Sequence, residues 1–127
     1  MRKILFVNDD DELAFVCGVI LESVGHSVRA TTSSRQALDE LAAFSPDLVI
    51  LDWDLGRNDR GDRLARALRR DLHFRGPIIM LSATPEAEAL GRQAGVNAFV
   101  PKPFASDELL AAVRRELAHA EPRHAAP

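Results

Sequence analysis

Five short apolar runs, regularly separated by longer segments of helical periodicity, constrain the fold of this chain more than any other feature. The runs cover residues 3–7, 27–31, 48–51, 78–82 and 98–100. The segments with helical spacing cover residues 12–24, 33–43, 63–72, 85–93 and 106–117. Parallel neighbouring strands are joined by crossover helices, so this strict alternation predicts an α/β fold with a doubly wound, five-stranded parallel sheet. The runs hardly alternate between apolar and polar residues, as expected for strands covered on both faces.

The helical segments carry recognisable start signals and apolar stripes. Ser33 and Gln36 have the spacing of a capping box, and Thr84 followed by Pro85 predicts an N-cap and a first helical turn. The apolar residues expected to face the core are Leu13, Val16, Cys17, Ile20 and Val24 in the first helix and Leu64, Leu68 and Leu72 in the third.

Composition limits the class of protein. A chain of 127 residues, 46% of them hydrophobic, suits one domain with a proper core. Its net charge of −3 gives no general attraction to nucleic acid or to an anionic membrane. No stretch approaches the roughly 18 apolar residues of a membrane span, and the first residues lead into a strand rather than a signal peptide. We therefore expect a soluble, cytoplasmic domain with a buried thiol at Cys17.

Polar residues stand where three of the predicted strands end. Asp52 follows the third run, Asn8 and Asp9 follow the first, and Lys102 follows the fifth. The carboxyl ends of parallel strands meet at one edge of the sheet, where such folds bind their ligands, so these side chains should converge. Taken alone, Asp52 could equally cap the next helix. The conjunction of two acids with a lysine favours a chemical site.

Four motifs in fixed order resemble the receiver domains of two-component response regulators. They cover residues 4–10, 46–52, 77–83 and 95–104. The resemblance extends over residues 2–118 and implies the flavodoxin-like (βα)5 fold with strand order 2-1-3-4-5. Residues 119–127, rich in Ala, Pro and His, lack apolar periodicity and are predicted to form a flexible tail.

The resemblance implies that Asp52 accepts a phosphoryl group from a sensor histidine kinase or a histidine phosphotransfer protein. It also implies a Mg²⁺ site formed by Asp9, Asp52 and the backbone carbonyl of Asp54, with Asn8 acting through a metal-bound water. Hard oxygen ligands of this kind suit Mg²⁺, which keeps several waters. The side chain of Asp54 occupies one of two variable positions that tune dephosphorylation in the family.

Further residues match the family's switch. Lys102 and Ser82 correspond to the lysine and the hydroxyl residue that bind phosphoryl oxygens, and Phe99 corresponds to an aromatic whose rotamer reports the signalling state. Phe99 is equally compatible with a plain core role. The peptide bond before Pro103 is implied to be cis, which only X–Pro bonds adopt at low cost. Thr84 is the second rate-tuning position.

Several positions depart from the family pattern, and two of them, Asn8 and Phe99, lie at the proposed site and switch. The family usually has two acids after the first strand, and here Asn8 occupies the first of these positions. One negative charge is therefore missing, and we expect weakened Mg²⁺ binding. Phe99 stands where tyrosine is common, so a rotamer switch would lack the hydroxyl hydrogen bond.

The sequence gives weaker indications of partners. Phe15 and Val19 should be exposed on the first helix, which in this family meets the kinase's phosphotransfer domain. Output is expected through a downstream protein or a fused output domain, because residues 119–127 cannot form a nucleic-acid-binding domain. Self-association stays open, but Asn97 and Ala98 replace the acids typical of the charged dimer interface in the winged-helix branch.

Two alternatives remain. A pseudo-receiver would keep the fold and signal by binding alone, as the missing acid at Asn8 suggests. A phosphatase of the haloacid-dehalogenase type would use the DxD motif formed by Asp52 and Asp54. Strand order argues against that enzyme, because its motif usually follows the first strand and it needs acids after a later one.

Overall fold

The computed structural model describes residues 2–120, which form one parallel sheet with strand order β2-β1-β3-β4-β5. The strands are β1 (Lys3–Val7), β2 (Ser27–Thr31), β3 (Leu48–Asp52), β4 (Ile78–Ser82) and β5 (Ala98–Pro101). The helices are α1 (Asp11–Ser23), α2 (Ser34–Phe44), α3 (Gly61–Arg70), α4 (Pro85–Gln93) and α5 (Ser106–His119). The predicted fold class and strand order are confirmed.

Side chains alternate along the central strands between two apolar layers. On one face, Leu5, Val49 and Met80 pack with residues of α2, α3 and α4. On the other, Phe6 and Ile50 pack with residues of α1 and α5. Every residue of β3 and β4 is buried. Burial on both faces explains why these strands lack alternating polarity.

Strand boundaries follow the sequence closely. The predicted limits of β1, β2 and β4 match to the residue, whereas β3 and β5 each extend one residue further, to Asp52 and Pro101. These two additional residues extend the hydrogen bonding of the sheet to the polar site.

The C-terminal helix is longer than predicted. Helix α5 extends through His119, so the tail predicted for residues 119–127 does not begin at His119. The part of that prediction that concerns residues 121–127 falls outside the described residues. No helix within residues 2–120 combines the length and apolar character needed to cross a bilayer.

The predicted core face of α1 is right only in part, since Cys17 is buried and Leu13 packs against the core. Ala14, Cys17 and Leu21 are the buried residues, whereas Val16 and Val24 are more than half exposed. Asp10 caps the helix by accepting hydrogen bonds from the N–H groups of the first turn.

Two other helix details differ from expectation. Helix α3 begins at Gly61, two residues before the predicted start, and Leu72 lies beyond its end with 43% of its surface exposed. The capping box of α2 is only half formed. Ser33 accepts from the N–H of Gln36, but the Gln36 side chain accepts from Thr32 instead of from Ser33.

Candidate functional site

The carboxyl edge of the sheet brings the predicted site residues together. Asp52 and Ser82 are the last residues of β3 and β4, while Asn8 and Lys102 immediately follow β1 and β5. Backbone hydrogen bonds continue the ladder past the strand ends, with the N–H of Lys102 donating to the carbonyl of Ser82 at 2.8 Å. The backbone therefore fixes the starting point of each side chain.

Asp52 lies at the centre of this edge and is only 3% exposed. Its Oδ2 accepts a hydrogen bond from the Asn8 side-chain nitrogen at 3.0 Å and forms an ion pair with the Lys102 ammonium. Its Oδ1 accepts from the backbone N–H of Asp54 at 3.1 Å. A buried carboxylate without such partners would be strongly destabilising, so these three donors account for its position.

Asn8 is completely buried, and its two polar ends have different partners. Its Nδ2 faces Asp52, while its Oδ1 accepts from the backbone N–H of Asp10 at 2.8 Å. The reverse amide orientation would set oxygen against the carboxylate and nitrogen against an N–H, so only the observed orientation satisfies both neighbours. Asn8 therefore donates its amide N–H to Asp52, whereas the resemblance implied that its side chain would contact a metal-bound water.

Asp9 is exposed and lies beside the loop that follows β3. Gly56 in that loop has a φ of 77°, and a Cβ there would stand 2.7 Å from Oδ2 of Asp9. Within residues 2–120, no three His, Cys, Asp or Glu side chains are grouped closely enough to hold a metal ion. Any cation here would be held by Asp9 and Asp52 with main-chain oxygen and water, a donor set that Mg²⁺ tolerates.

The loop after β3 is held by its own hydrogen bonds. The Asp54 carboxylate accepts from the N–H of Gly56 at 2.9 Å, and the N–H of Asp59 donates to the carbonyl of Gly56 at 2.7 Å. The Asp59 carboxylate also accepts from the N–H and the hydroxyl of Ser34 at the start of α2. No sequence pattern predicted this link between the loop and α2.

An ion pair between a buried acid and a partly exposed arginine continues from the same loop. Asp62 is 2% exposed and accepts two hydrogen bonds from Arg60, each of 3.0 Å. The Arg60 guanidinium lies 5.0 Å from the ring centre of Trp53, the residue after Asp52. A Cβ at Gly61 would collide with the backbone carbonyl of Asp52, so glycine allows α3 to start against the strand end.

Phe99 is half-buried on β5 and packs against α4 and the core residue Met80. A Cβ at Gly91 would stand 2.7 Å from its Cε1 atom, and the Arg92 guanidinium lies 5.0 Å from its ring centre. Ser82 is buried at the end of the neighbouring strand. Sequence reasoning missed Gly91, although a glycine inside a helix often marks a close approach.

The remaining predicted residues have local roles in this structure. The Thr84 hydroxyl accepts from the N–H of Ala87 at 3.2 Å and caps α4, as predicted. The Lys102–Pro103 peptide bond is cis, which confirms the prediction from the resemblance.

An apolar groove of about 500 Å³ runs beside the site between α1 and the segment after β5. Leu13, Val16 and Ile20 of α1 line it together with Phe104 and Lys102. Cys17 also lines the groove; its burial raises the pKa of the thiol to about 11, and the nearby Lys102 charge opposes this rise. Next to the groove, Phe15 is 73% exposed and Val19 51% exposed, as predicted.

Comparison of the sequence with protein families and curated proteins gives a consistent result. The model of the response regulator receiver domain matches residues 4–114. MtrA of Mycolicibacterium smegmatis, named a DNA-binding response regulator, is 37% identical over 119 residues, which cover 91% of this chain and 50% of that protein. The transcriptional regulatory protein CpxR of Escherichia coli is 38% identical, with 90% of this chain and 48% of that protein covered. The chain spans about half the length of the curated relatives it matches.

Solved structures show the same fold. The chemotaxis protein CheY4 of Vibrio cholerae superimposes with a TM-score of 0.85 at 26% identity, covering 91% of this chain and 98% of that one. The receiver domain of NtrX from Brucella abortus also gives a TM-score of 0.85, at 28% identity and with 92% and 99% covered.

Proposed function

The chain belongs to the response regulator receiver domain family, and we propose that it accepts a phosphoryl group on Asp52 from a histidine kinase or a histidine phosphotransfer protein. Phosphorylation then changes the protein-binding surface formed around α4 and β5. The observation that carries this proposal is the placement of a single carboxylate, Asp52, at the sheet edge with Lys102 and Asn8 as its side-chain partners.

The surroundings of Asp52 suit nucleophilic attack on phosphorus. An oxygen of Asp52 forms the new O–P bond while the bond between phosphorus and the donor's leaving group breaks, and the leaving group keeps that electron pair. Two anions approach each other in this step, so fixed positive charge and hydrogen-bond donors are needed near the transferred oxygens. The Lys102 ammonium lies beside the carboxylate and is the group proposed to pair with a phosphoryl oxygen.

Mg²⁺ is the proposed cofactor. Asp9, Asp52 and the backbone carbonyl of Asp54 are the residues that would hold it, and Asp9 reaches the loop carrying Asp54, as its closeness to Gly56 indicates. When bound, Mg²⁺ would offset the negative charge that accumulates between carboxylate and phosphoryl group. With two carboxylates in the donor set, the affinity for the ion should be modest.

Ser82 and Phe99 are proposed to carry the signal away from Asp52. The Ser82 hydroxyl would approach a phosphoryl oxygen, and the space this vacates would change the preferred position of the Phe99 ring. Phe99 lies between Met80 and Arg92, so its movement would alter the α4 surface. Asp54 and Thr84 are proposed to influence the dephosphorylation rate. Both side chains cap backbone N–H groups, which limits their reach toward an attacking water.

We propose that α1 and its groove form the docking surface for the phosphodonor. Phe15, Val16 and Val19 make an exposed apolar strip on α1. Lys102 lines the groove beside it, so a helix lying there would bring a phosphohistidine to the site.

Output is proposed to occur through a downstream protein or through another domain of a longer protein. MtrA and CpxR are about twice as long as this chain, and MtrA is named a DNA-binding protein. The Asn97 side chain accepts hydrogen bonds from Arg69 and from the N–H of Ile78. Because Asn97 forms these hydrogen bonds within the domain, they support the expectation that a dimer, if formed, lacks the charged interface of the winged-helix branch.

A pseudo-receiver is the second candidate, because Asn8 removes one acid from the site and occupies Asp52 with a hydrogen bond. The phosphatase alternative draws no support from the geometry, since the Asp54 carboxylate faces the N–H of Gly56.

Beryllofluoride, a mimic of the phosphoryl group, tests the proposal without a kinase. In Mg²⁺ it should change the fluorescence of the single tryptophan, Trp53, which adjoins Asp52. The Asp52→Asn variant should not respond. An unchanged spectrum in a folded wild type would favour the pseudo-receiver.

A further inference from the structure

We propose that Asn8 is a catalytic residue that determines which oxygen of Asp52 attacks phosphorus and reduces the site's dependence on a divalent cation. This inference rests on the proposed function of Asp52. Asn8 is fully buried and contacts the reacting carboxylate directly, at 3.0 Å.

The two oxygens of Asp52 are unequally occupied. Oδ2 receives both the Asn8 amide and the Lys102 ammonium, whereas Oδ1 receives only the N–H of Asp54. A carboxylate oxygen has two in-plane lone pairs, so in this structure both lone pairs of Oδ2 are engaged and Oδ1 keeps one free. A bound Mg²⁺ would be held by Oδ2 in place of the Lys102 ammonium, and Oδ1 would still keep its free lone pair. Oδ1 is therefore the nucleophile, and Asn8 is one of the two groups that make it so.

The transfer step uses this asymmetry. The free lone pair of Oδ1 forms the O–P bond, and the leaving group of the phosphodonor departs with the electrons of the broken bond. Oδ2 becomes the carbonyl oxygen of the acyl phosphate and loses most of its negative charge. A neutral amide N–H remains a suitable partner for a carbonyl, whereas the Lys102 ammonium loses its anion and is free to pair with the phosphoryl group.

The amide also changes the charge of the resting site. A carboxylate in place of the Asn8 amide would lie about 3 Å from the Asp52 carboxylate, and the single Lys102 ammonium would offset only one of the two negative charges. That arrangement would require a cation for stability. Asn8 instead supplies a donor and adds no charge, so the site is satisfied before any cation binds.

The isosteric variant Asn8→Asp tests the charge argument through stability alone. Its thermal midpoint in EDTA should lie about 4 °C or more below that of wild type, and Mg²⁺ should raise it far more than it raises the wild-type value. Asn97→Asp makes the same chemical change at the opposite edge of the sheet and should keep the wild-type response to Mg²⁺. If Asn8→Asp matches wild type in EDTA and in Mg²⁺, the inference is overturned.

Labelling by acetyl phosphate, followed by intact mass, tests the catalytic role. The ratio of initial rates at saturating and limiting Mg²⁺ should be about tenfold larger for Asn8→Asp than for wild type. Asn8→Ala removes the donor without adding charge and should slow labelling by about tenfold or more at both Mg²⁺ levels. If wild type is labelled at Asp52 but the ratio of initial rates at saturating and limiting Mg²⁺ is the same in all variants, this inference is overturned. The proposed function would then remain intact. Absence of labelling in wild type would instead refute the proposed function.

Discussion

Lys102 and Asp52 form an ion pair across the carboxyl edge of the sheet, between residues 50 positions apart in the chain. The Asp52 side chain is 5% exposed and that of Lys102 31%, so the pair joins a buried anion to a cation that reaches the surface. This geometry lets the lysine respond to charge at Asp52 while it remains accessible to an incoming phosphoryl group.

Lys102→Ala should weaken the coupling between phosphorylation at Asp52 and the position of Phe99 more than it weakens Mg²⁺ binding, because the lysine is not among the proposed metal ligands. Fluorine NMR of fluorophenylalanine-labelled protein, with the Phe99 signal assigned by Phe99→Leu, reports the coupling. Trp53 fluorescence reports Mg²⁺ binding. Lys3→Ala removes the only other lysine and should alter neither signal. Equal loss of both signals in Lys102→Ala would contradict the role given to Lys102.

Gly91→Ala should destabilise the domain by about 1–3 kcal/mol, since the new methyl group would overlap the Phe99 ring. Gly18→Ala is the matched control, because a Cβ at Gly18 in α1 meets nothing within 4 Å. That change should stabilise the protein by about 0.5–1 kcal/mol through helix propensity. Urea denaturation measures both. If Gly91→Ala leaves the free energy of unfolding unchanged, the Phe99 ring is not held against α4.

Phe15→Ala should reduce phosphotransfer from a phosphorylated histidine phosphotransfer protein and leave labelling by acetyl phosphate unchanged. The exposed ring contributes little to folding, so stability should stay within about 0.5 kcal/mol of wild type. Leu72→Ala removes an exposed apolar side chain elsewhere and should affect neither reaction. The docking role of α1 is wrong if both phosphodonors are affected alike by Phe15→Ala.

Cys17 should make the fold sensitive to alkali. Burial raises the pKa of its thiol from 9.0 to about 11, so the native state holds the proton more tightly than the unfolded chain does. The resulting stabilisation is present below the unfolded pKa and is lost as the pH rises towards about 11, with a size of about 2–3 kcal/mol. The free energy of unfolding of wild type minus that of Cys17→Ala, measured across this range, should fall. A constant difference would contradict the prediction.

Sequence patterns predicted the central strands β1, β3 and β4 well because burial on both faces leaves a strong apolar signal. Helix α1 was harder, since residues 13–21 are almost all apolar and several faces could point inward. Only the packed structure shows that Ala14 and Leu21 face the sheet. In α3, periodicity placed Leu72 in the core, but the helix ends at Arg70, before that residue.

The sequence predicted that the site residues meet at one edge of the sheet. Asp52, Asn8 and Lys102 meet there as parallel topology requires. The direction of the Asn8 amide could not be predicted, because it depends on the backbone N–H of Asp10 as well as on Asp52. Arg69 was likewise hidden, since its guanidinium binds backbone carbonyls that are distant in sequence, among them that of Gly95.

The central claim is that Asp52 accepts a phosphoryl group. Intact mass after incubation with acetyl phosphate and Mg²⁺, compared between wild type and Asp52→Asn, tests it most directly. We predict a gain of one phosphoryl group in wild type and none in the variant, with both proteins folded. Equal labelling of the variant, or no labelling of a folded wild type, would contradict the account.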